Sequence, residues 1–297
     1  MKATLRESHM KNHLMIELGL FALCLYSTIP LQAAQDNPLL IPEVAQVPVI
    51  DGKSNDSCWT AITWQPLDQV WIPYGTPSDT TEFQGRYKVV WSAESNLLYF
   101  LVQVTDDTLV DGFINNKTAD IYNFDIIEVF LDEDRSGGLH VFDGVDSIGR
   151  EWGTNAENAF AYHIYSDIPE SGSTNASRWV YDLDGPSWEK VIKRNYANHF
   201  PKYILRREGN TLTWEFSLIV YNDHYEYEHP EGTRAQLISG KKMGLSLAYC
   251  DNDNPDEKPK ERDSFFGSVH VPAKAYNDHW MNADWFGPAE LVGLPDN

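Results

Sequence analysis

Short, strand-like runs separated by turn residues make up most of the chain after residue 40 and constrain its fold more than any other feature. Residues 87–92 and 97–105 are rich in β-branched and aromatic side chains and enclose a Ser-Ala-Glu-Ser-Asn turn. Runs of the same kind follow at residues 126–131, 160–165, 178–182, 203–207, 212–218, 243–249 and 265–271. With Gly, Asn and Asp between them and little helical periodicity, they predict an all-β fold, an antiparallel β-sandwich of the jelly-roll type.

The organisation of the chain indicates one domain. No internal repeat and no Pro- or Ser-rich linker divides it. We place the β-sandwich domain at residues 47–293, after an N-terminal extension at residues 35–46. Long loops are expected around residues 143–160 and 184–200, and loops are where binding residues tend to lie.

The N-terminus has the pattern of a signal peptide. The apolar stretch at residues 18–29 follows three basic residues and is too short to span a bilayer. Small residues lie around Ala34. The sequence therefore predicts a signal peptide at residues 1–34, cleaved near Ala34, and a secreted or periplasmic protein. A buried N-terminal helix is the alternative reading of this stretch.

Charge and cysteine content limit the partners and the redox state. The chain carries 44 acidic and 23 basic residues, a formal net charge of −21. This acidity argues against nucleic acid, which is bound through Lys and Arg, and against docking on anionic membranes. Two cysteines, Cys58 and Cys250, follow the signal peptide. An oxidising compartment permits a disulfide between them, and two free thiols are the open alternative.

Common catalytic motifs are absent from the sequence. It has no nucleophile elbow, no metalloprotease histidine pair, no phosphate-binding glycine loop and no haem-attachment motif. Asp125 and Glu128 would be the candidates for a glycosidase pair. Three residues apart on a strand, they are expected to face opposite sides of the sheet, which does not suit two carboxylates flanking one bond. We therefore expect a protein that is not an enzyme.

One acidic segment matches the spacing of a calcium-binding loop. Asp132, Asp134, Ser136 and Asp143 occupy its first, third, fifth and twelfth positions, and Gly137 occupies the sixth. The flanking strands and the final Asp depart from the pattern, so an acidic surface turn is the alternative. A second acidic segment, residues 251–256, has no such register and is interpreted as a solvated turn.

The tryptophans divide into two groups. Trp59, Trp91 and Trp214 lie in apolar surroundings and are predicted to be core residues. Trp280 lies in a polar segment, residues 277–287, rich in Asn and Asp. Exposed rings with amide and carboxylate neighbours are typical of sugar recognition, because the ring stacks on the sugar and the polar groups bind its hydroxyls. A ring folded beneath its own loop is the alternative for Trp280.

The order of motifs is more specific than any single one. The succession runs VIDG (49–52), YKVVW (87–91), VTDD (104–107), DIIEVFLD (125–132), WEFSL (214–218), GLSLAYCD (244–251) and FG (286–287). This succession resembles the family 9 carbohydrate-binding modules over about residues 47–293. The resemblance implies a β-sandwich that binds polysaccharide or oligosaccharide without cleaving it, typically at the reducing end of xylan or cellulose, with calcium supporting the loops. Any glycoside hydrolase would then be a separate polypeptide.

The resemblance also assigns roles to residues. Two aromatic rings clamp the terminal sugar in that family, and the matching positions here are Tyr122 and Trp280. The family's Glu that binds sugar hydroxyls matches Glu128, whose side chain is expected to leave the core face beside Phe130. The family also places an Arg on the strand after the insertion, and residues 160–163 contain none.

Other functions remain open from the sequence. A related sandwich family holds haem as an electron-transfer subunit, for which Met243, Met281 or a histidine would supply axial ligands. A glycoside hydrolase, or a structural surface protein that has lost its ligand, are the further alternatives.

Overall fold

The computed structural model describes residues 37–112, 121–141, 144–145, 151–152, 159–184, 192–254 and 261–294. The predicted signal peptide and Asp143 lie outside these ranges, and so does most of the predicted loop at residues 143–160. Within the described ranges, no helix is long and apolar enough to cross a membrane.

Two sheets packed face to face form the body of the protein, as predicted. In the described residues, the first sheet contains β1 (Leu39–Pro42), β3 (Gln69–Ile72), β6 (Ile126–Asp132), β9 (Ala159–Ser166), β11 (Arg178–Asp184), β12 (Ile192–Asn195), β15 (Lys242–Asp251), β16 (Ser264–Gly267) and β17 (Pro288–Val292). The second contains β2 (Gln65–Leu67), β4 (Phe83–Ser92), β5 (Leu97–Asp106), β10 (Thr174–Asn175), β13 (Tyr203–Glu208) and β14 (Thr211–Leu218). A small hairpin pairs β7 (Gly144–Val145) with β8 (Glu151–Trp152).

In both sheets, the order of neighbouring strands differs from their order along the chain. The first sheet runs β1-β17-β15-β6-β9-β11-β12, with β16 joining β15 to β3, and the second runs β10-β13-β14-β5-β4-β2. Among the described residues, the strands pair in antiparallel fashion, except that β1 pairs with β17 in parallel. The helical segments are short: α1 (Ser57–Thr60) and the 3-10 turns Ile121–Asn123, Ala197–His199, Ala273–Ala275 and Ala283–Trp285.

The main core lies between the sheets and follows from the period of two along each strand. On β6, Ile127 and Val129 face this core, whereas Phe130 belongs to a second cluster on the outer face of the first sheet. Glu128 therefore leaves the core face on the same side as Phe130, as expected from the sequence. Trp91 and Trp214 lie in the main core, as predicted.

Each outer face has its own cover. Trp59, a fully buried residue of α1 that was also predicted as core, packs on the outer face of the second sheet. The segment 268–287, which we call the cover loop, packs on the outer face of the first sheet through Val271, Ala283 and Phe286. Trp71 lies between sheet and loop, and its ring stacks on that of His279 with centroids 4.1 Å apart.

The two cysteines are free thiols on opposite sides of the sandwich. Cys58 belongs to the cluster outside the second sheet, and Cys250 to the cluster outside the first. The structure therefore decides the open question in favour of two unpaired cysteines.

Candidate functional site

Three side chains form a row across the outer face of the first sheet. The register pairs Glu128 of β6 with His163 of β9, and His163 with Tyr181 of β11. The rings of His163 and Tyr181 stack with centroids 4.6 Å apart and 16° between their planes. His163 Nε2 lies 3.3 Å from Glu128 Oε1. The sheet thus sets a carboxylate, an imidazole and a phenol side by side.

The hydrogen bonds of His163 fix its tautomer. Its Nδ1 lies 2.8 Å from the carbonyl oxygen of Ala161, and since a carbonyl oxygen only accepts, Nδ1 carries a proton. The Nε2 atom of the same ring lies against Glu128 Oε1. His163 therefore orients the Glu128 carboxylate at the floor of the site.

Arg262 enters the same site from the segment that precedes β16. Its Nη1 donates to Cys250 Sγ at 3.1 Å, and its Nη2 donates to Asn277 Oδ1 at 2.7 Å. Cys250 Sγ in turn donates to Glu128 Oε1 at 3.2 Å. Burial, reinforced by Glu128, raises the pKa of the Cys250 thiol well above its ordinary value, which keeps the thiol protonated and able to donate.

Tyr122 lies at the open edge of this group. It belongs to the 3-10 turn Ile121–Asn123, just before β6, and 36% of its surface is exposed. The Arg262 guanidinium carbon lies 5.5 Å from the centroid of its ring, within the range of a cation–π contact. Arg262 thus links Tyr122 to Glu128, two residues that the sequence assigned to one site.

Trp280 lies on the same sheet face, carried by the cover loop. It is half-buried, and it packs against the outer cluster and against the small cluster formed by Val141 and Met281. Three residues earlier, Asn277 accepts the Arg262 hydrogen bond. The structure thus brings Tyr122, Glu128 and Trp280 to one face, with Glu128 only 2% exposed beneath the others.

Sequence reasoning missed the positively charged residue of this site. The strand β9 has His163, not Arg, opposite Glu128, in agreement with the sequence. The guanidinium comes instead from Arg262, which lies far along the chain in a short connection before β16. Only the pairing of β16 with β15 brings it beside Cys250, so no local motif could have identified it.

A second cluster, the acidic end, consists of carboxylates where β4 and β6 begin and where β5 and β15 end. The buried side chains of Asp106, Asp125 and Asp251 have carboxylate oxygens within 4.8 Å of one another. Asp253 joins two further groups of this kind, one with Glu82 and Asp251 and one with Asp106 and Asp107.

The electrostatics of the acidic end favour a cation. Burial and the neighbouring Asp106 raise the pKa of Asp125 to about 9. Burial, Asp106 and Asp125 likewise raise the pKa of Asp251. Both carboxylate oxygens of Asp251 are buried, and neither has a hydrogen-bond partner among the described residues. Hard cations such as Ca²⁺ prefer several carboxylate oxygens, so the residues present fit such an ion. The reading of residues 251–256 as a solvated turn is wrong for Asp251 and Asn252, which are buried.

The predicted calcium loop has a different arrangement in its described part. The Asp132 carboxylate accepts hydrogen bonds from the backbone N–H groups of Arg135 at 2.9 Å and Gly137 at 2.8 Å. Asp134 Oδ1 accepts from the backbone N–H of Ser136 at 2.9 Å. These bonds close the turn, and with Asp143 outside the described residues the calcium assignment to this loop stays a prediction.

Asn252 connects the acidic end to the first site. Its backbone N–H donates to Asp125 Oδ1 at 3.0 Å. Its side-chain amide donates to the carbonyl oxygens of Asn123 and Glu261, both at 2.8 Å. Those two residues are the chain neighbours of Tyr122 and Arg262, so the geometry of the acidic end bears directly on the position of both.

The methionines named for a haem site lie apart. Met243 is buried in the main core, and Met281 belongs to a small cluster with Val141. They therefore do not face each other across one cavity.

A two-sheet sandwich with aromatic and hydrogen-bonding side chains on one outer face is typical of carbohydrate-binding modules. Residues 50–294 match the family described as "Carbohydrate family 9 binding domain-like". The chain belongs to this family, whose members are non-catalytic binding modules.

Solved structures share the fold. A family 9 carbohydrate-binding module from Caldicellulosiruptor kristjanssonii in complex with cellotriose is 17% identical, with a TM-score of 0.54, covering 88% of this chain and 96% of that one. The same organism's module in complex with glucose is 18% identical, with a TM-score of 0.53 and coverages of 87% and 98%. None of the curated proteins matches this chain.

Proposed function

We propose that this protein binds the chain of a cellulose- or xylan-type polysaccharide between Tyr122 and Trp280, above the floor formed by Glu128. The observation that carries the proposal is that Arg262 contacts Tyr122, reaches Glu128 through Cys250 and donates to Asn277, three residues before Trp280 on the cover loop over the same sheet face. The complexes of similar modules with cellotriose and glucose support the choice of ligand.

Each side chain has a role suited to a sugar. The rings of Tyr122 and Trp280 offer apolar faces to a pyranose, and Arg262 and Asn277 offer hydrogen-bonding groups to its hydroxyls. Glu128 accepts a hydrogen bond from a hydroxyl that enters between the rings. Aromatic contacts contribute about 0.5–1.5 kcal/mol per pair beyond burial. We expect the complex with an oligosaccharide to have a dissociation constant in the range of roughly millimolar to micromolar.

The proposal also states which unit of the polysaccharide is bound and where the protein acts. The terminal, reducing-end sugar is the unit held by the clamp, as the family resemblance implies. The protein is exported after cleavage near Ala34 and assists polysaccharide degradation by a separate glycoside hydrolase. The supporting feature is the apolar stretch at residues 18–29 behind basic residues.

We also propose that the acidic end binds calcium as a structural ion. Asp106, Asp125, Asp251 and Asp253 would supply the oxygens. A bound cation would offset the repulsion among these carboxylates. Through Asn252 it would fix the backbone directly after the clamp residue Tyr122 and directly before Arg262.

Calorimetric titration of the mature protein with cello- and xylo-oligosaccharides tests the sugar proposal. We expect binding by the wild type and a loss of at least tenfold in affinity for Trp280→Ala, because the stacking surface is removed. Borohydride-reduced oligosaccharides, which lack the closed reducing-end ring, should bind more weakly. Trp64→Ala is the matched control, since Trp64 is a half-buried Trp packed outside the second sheet. Equal binding by wild type and Trp280→Ala would show that the clamp assignment is wrong.

A further inference from the structure

A pair of exposed tyrosines lies beyond the clamp. Tyr74 and Tyr276 are 38% and 44% exposed, and their ring centroids are 6.3 Å apart with 59° between the planes. Among the described Phe, Tyr and Trp side chains, only these two and Tyr122 have more than a third of their surface exposed. Single exposed apolar residues are ordinary, whereas large rings exposed as a pair point to a binding surface.

Contacts with buried parts of the protein hold both tyrosines in place. Tyr74 Oη donates to the carbonyl oxygen of Val271 at 2.9 Å, which ties its ring to the cover loop. Tyr276 follows the 3-10 turn Ala273–Ala275, whose Ala275 is fully buried in the outer cluster. The side chain of Tyr74 and the backbone next to Tyr276 are therefore anchored, which lowers the conformational entropy lost on binding.

The pair is continuous with the clamp. Tyr276 directly precedes Asn277, which accepts the hydrogen bond from Arg262. The guanidinium of Arg262 lies against the ring of Tyr122. The tyrosine pair is thus linked to Tyr122 through Asn277 and Arg262.

We infer that Tyr74 and Tyr276 form a second sugar-binding subsite, which takes a further unit of the same chain whose end is held by Tyr122 and Trp280. The inference rests on the proposed function and extends it. The preferred ligand is an oligosaccharide or a polysaccharide chain, because a single sugar fills only the clamp.

Titration calorimetry with saccharides of one to four units, in the cello and the xylo series, tests the inference. In the wild type, the affinity should increase from one unit to the longer chains. Tyr276→Ala and Tyr74→Ala should each lower the affinity for the longer chains by roughly 2- to 12-fold, the factor that corresponds to one aromatic contact. Tyr276→Phe should retain the increase, since it keeps the ring.

The outcomes separate the two proposals. Ile238→Ala, an exposed apolar residue before β15 and away from the β15 end that carries Cys250, serves as the matched control and should behave as the wild type. If Tyr276→Ala and Tyr74→Ala keep the whole dependence on chain length, the second subsite is wrong while the clamp stands. If wild type binds one unit as tightly as four, the subsite is likewise wrong. If the wild type binds no saccharide, the proposed function fails and the subsite with it.

Discussion

Among single residues, Arg262 connects more parts of the candidate site than any residue in a recognisable motif. It contacts the ring of Tyr122, the thiol of Cys250 and the amide of Asn277. These contacts need a planar guanidinium, because its donors diverge in fixed directions. An ammonium group on a flexible stem cannot make all of them at once.

Replacing Arg262 therefore weakens sugar binding. We expect Arg262→Ala to reduce the affinity for oligosaccharides by about tenfold or more, since a charged hydrogen bond contributes about 1.5–3 kcal/mol. Arg262→Lys should recover only part of the loss. Arg194→Ala is the control, because Arg194 lies over the ring of Tyr227, 4.4 Å from its centroid, away from the site. Calorimetry that finds wild-type affinity for Arg262→Ala would refute this role.

A buried histidine makes the stability of the cover loop depend on pH. Burial lowers the pKa of His279 to about 3, against about 6.5 in an unfolded chain. Between these values the unfolded state binds a proton that the folded state does not. The free energy of unfolding therefore decreases as the pH falls below about 6.5, by up to about 1.4 kcal/mol per pH unit for each such group. His140 and His199 shift in the same direction.

His279→Phe should reduce this dependence. Phenylalanine keeps the stacking on Trp71 and does not bind a proton. We expect the difference in unfolding free energy between pH 7 and pH 5.5 to shrink by about 1 kcal/mol relative to wild type. Urea unfolding at both pH values measures it, with the exposed His224→Phe as control. An unchanged difference in His279→Phe would contradict the assignment.

At the scale of elements, the close packing of β16 against Trp71 positions the cover loop. A Cβ atom on Gly267 would lie 2.0 Å from Trp71 Cζ2, so only glycine lets the indole lie across this strand. The other face of Trp71 supports His279, and the cover loop continues from there to Trp280. The lack of a side chain at Gly267 thus determines how closely the cover loop approaches the sheet.

Gly267→Ala should displace Trp71 and destabilise the protein by about 1–3 kcal/mol, the usual cost of overpacking. We also expect weaker sugar binding, because the displaced loop carries Trp280. The double variant Gly267→Ala/Trp71→Phe should recover part of the stability, since the smaller ring makes room for the methyl group. Thermal unfolding gives the comparison, and a single variant as stable as wild type would show that this contact does not set the loop.

The sequence predicted the central strands and missed the peripheral ones for a physical reason. Central strands such as β5 and β14 are long and have a buried face, which gives them β-branched and aromatic runs. The missed strands include β1, β2 and β17, which are three to five residues long and contain a proline, and β3 and β12, which are only four residues long. Proline is tolerated at edges and strand ends, where a ladder N–H is not needed, and it obscures the strand pattern.

For the molecule as a whole, the high negative charge is concentrated in part at the acidic end between the two sheets. Calcium there should raise the melting temperature, because an ion at 100 times its dissociation constant stabilises the folded state by about 2.7 kcal/mol. We expect Asp251→Asn to abolish this effect of calcium. Asp134→Asn, in the predicted loop at residues 132–143, should retain it.

Scanning calorimetry with calcium and with a chelator distinguishes these outcomes. If only Asp134→Asn loses the calcium effect, the ion lies in the predicted loop and not at the acidic end. If chelation leaves the melting temperature of the wild type unchanged, neither place holds a structural ion.

The site could be predicted only where a motif lies next to a strand. Tyr122 and Glu128 belong to one continuous segment, and Trp280 precedes a recognisable Phe-Gly pair. His163, Arg262 and the acidic end depend on strand register, which brings together residues from distant parts of the chain. Register follows from the packing of whole strands, so the local sequence contains no signal for these contacts.

The most direct test of the central claim is a glycan-array screen of the mature protein alongside Trp280→Ala. We predict that the wild type binds cello- or xylo-type glycans and that Trp280→Ala gives signals at least tenfold weaker on the same glycans. Absence of any glycan signal for a folded wild type, or equal signals for both proteins, would contradict the assignment of the outer face of the first sheet as a sugar-binding site.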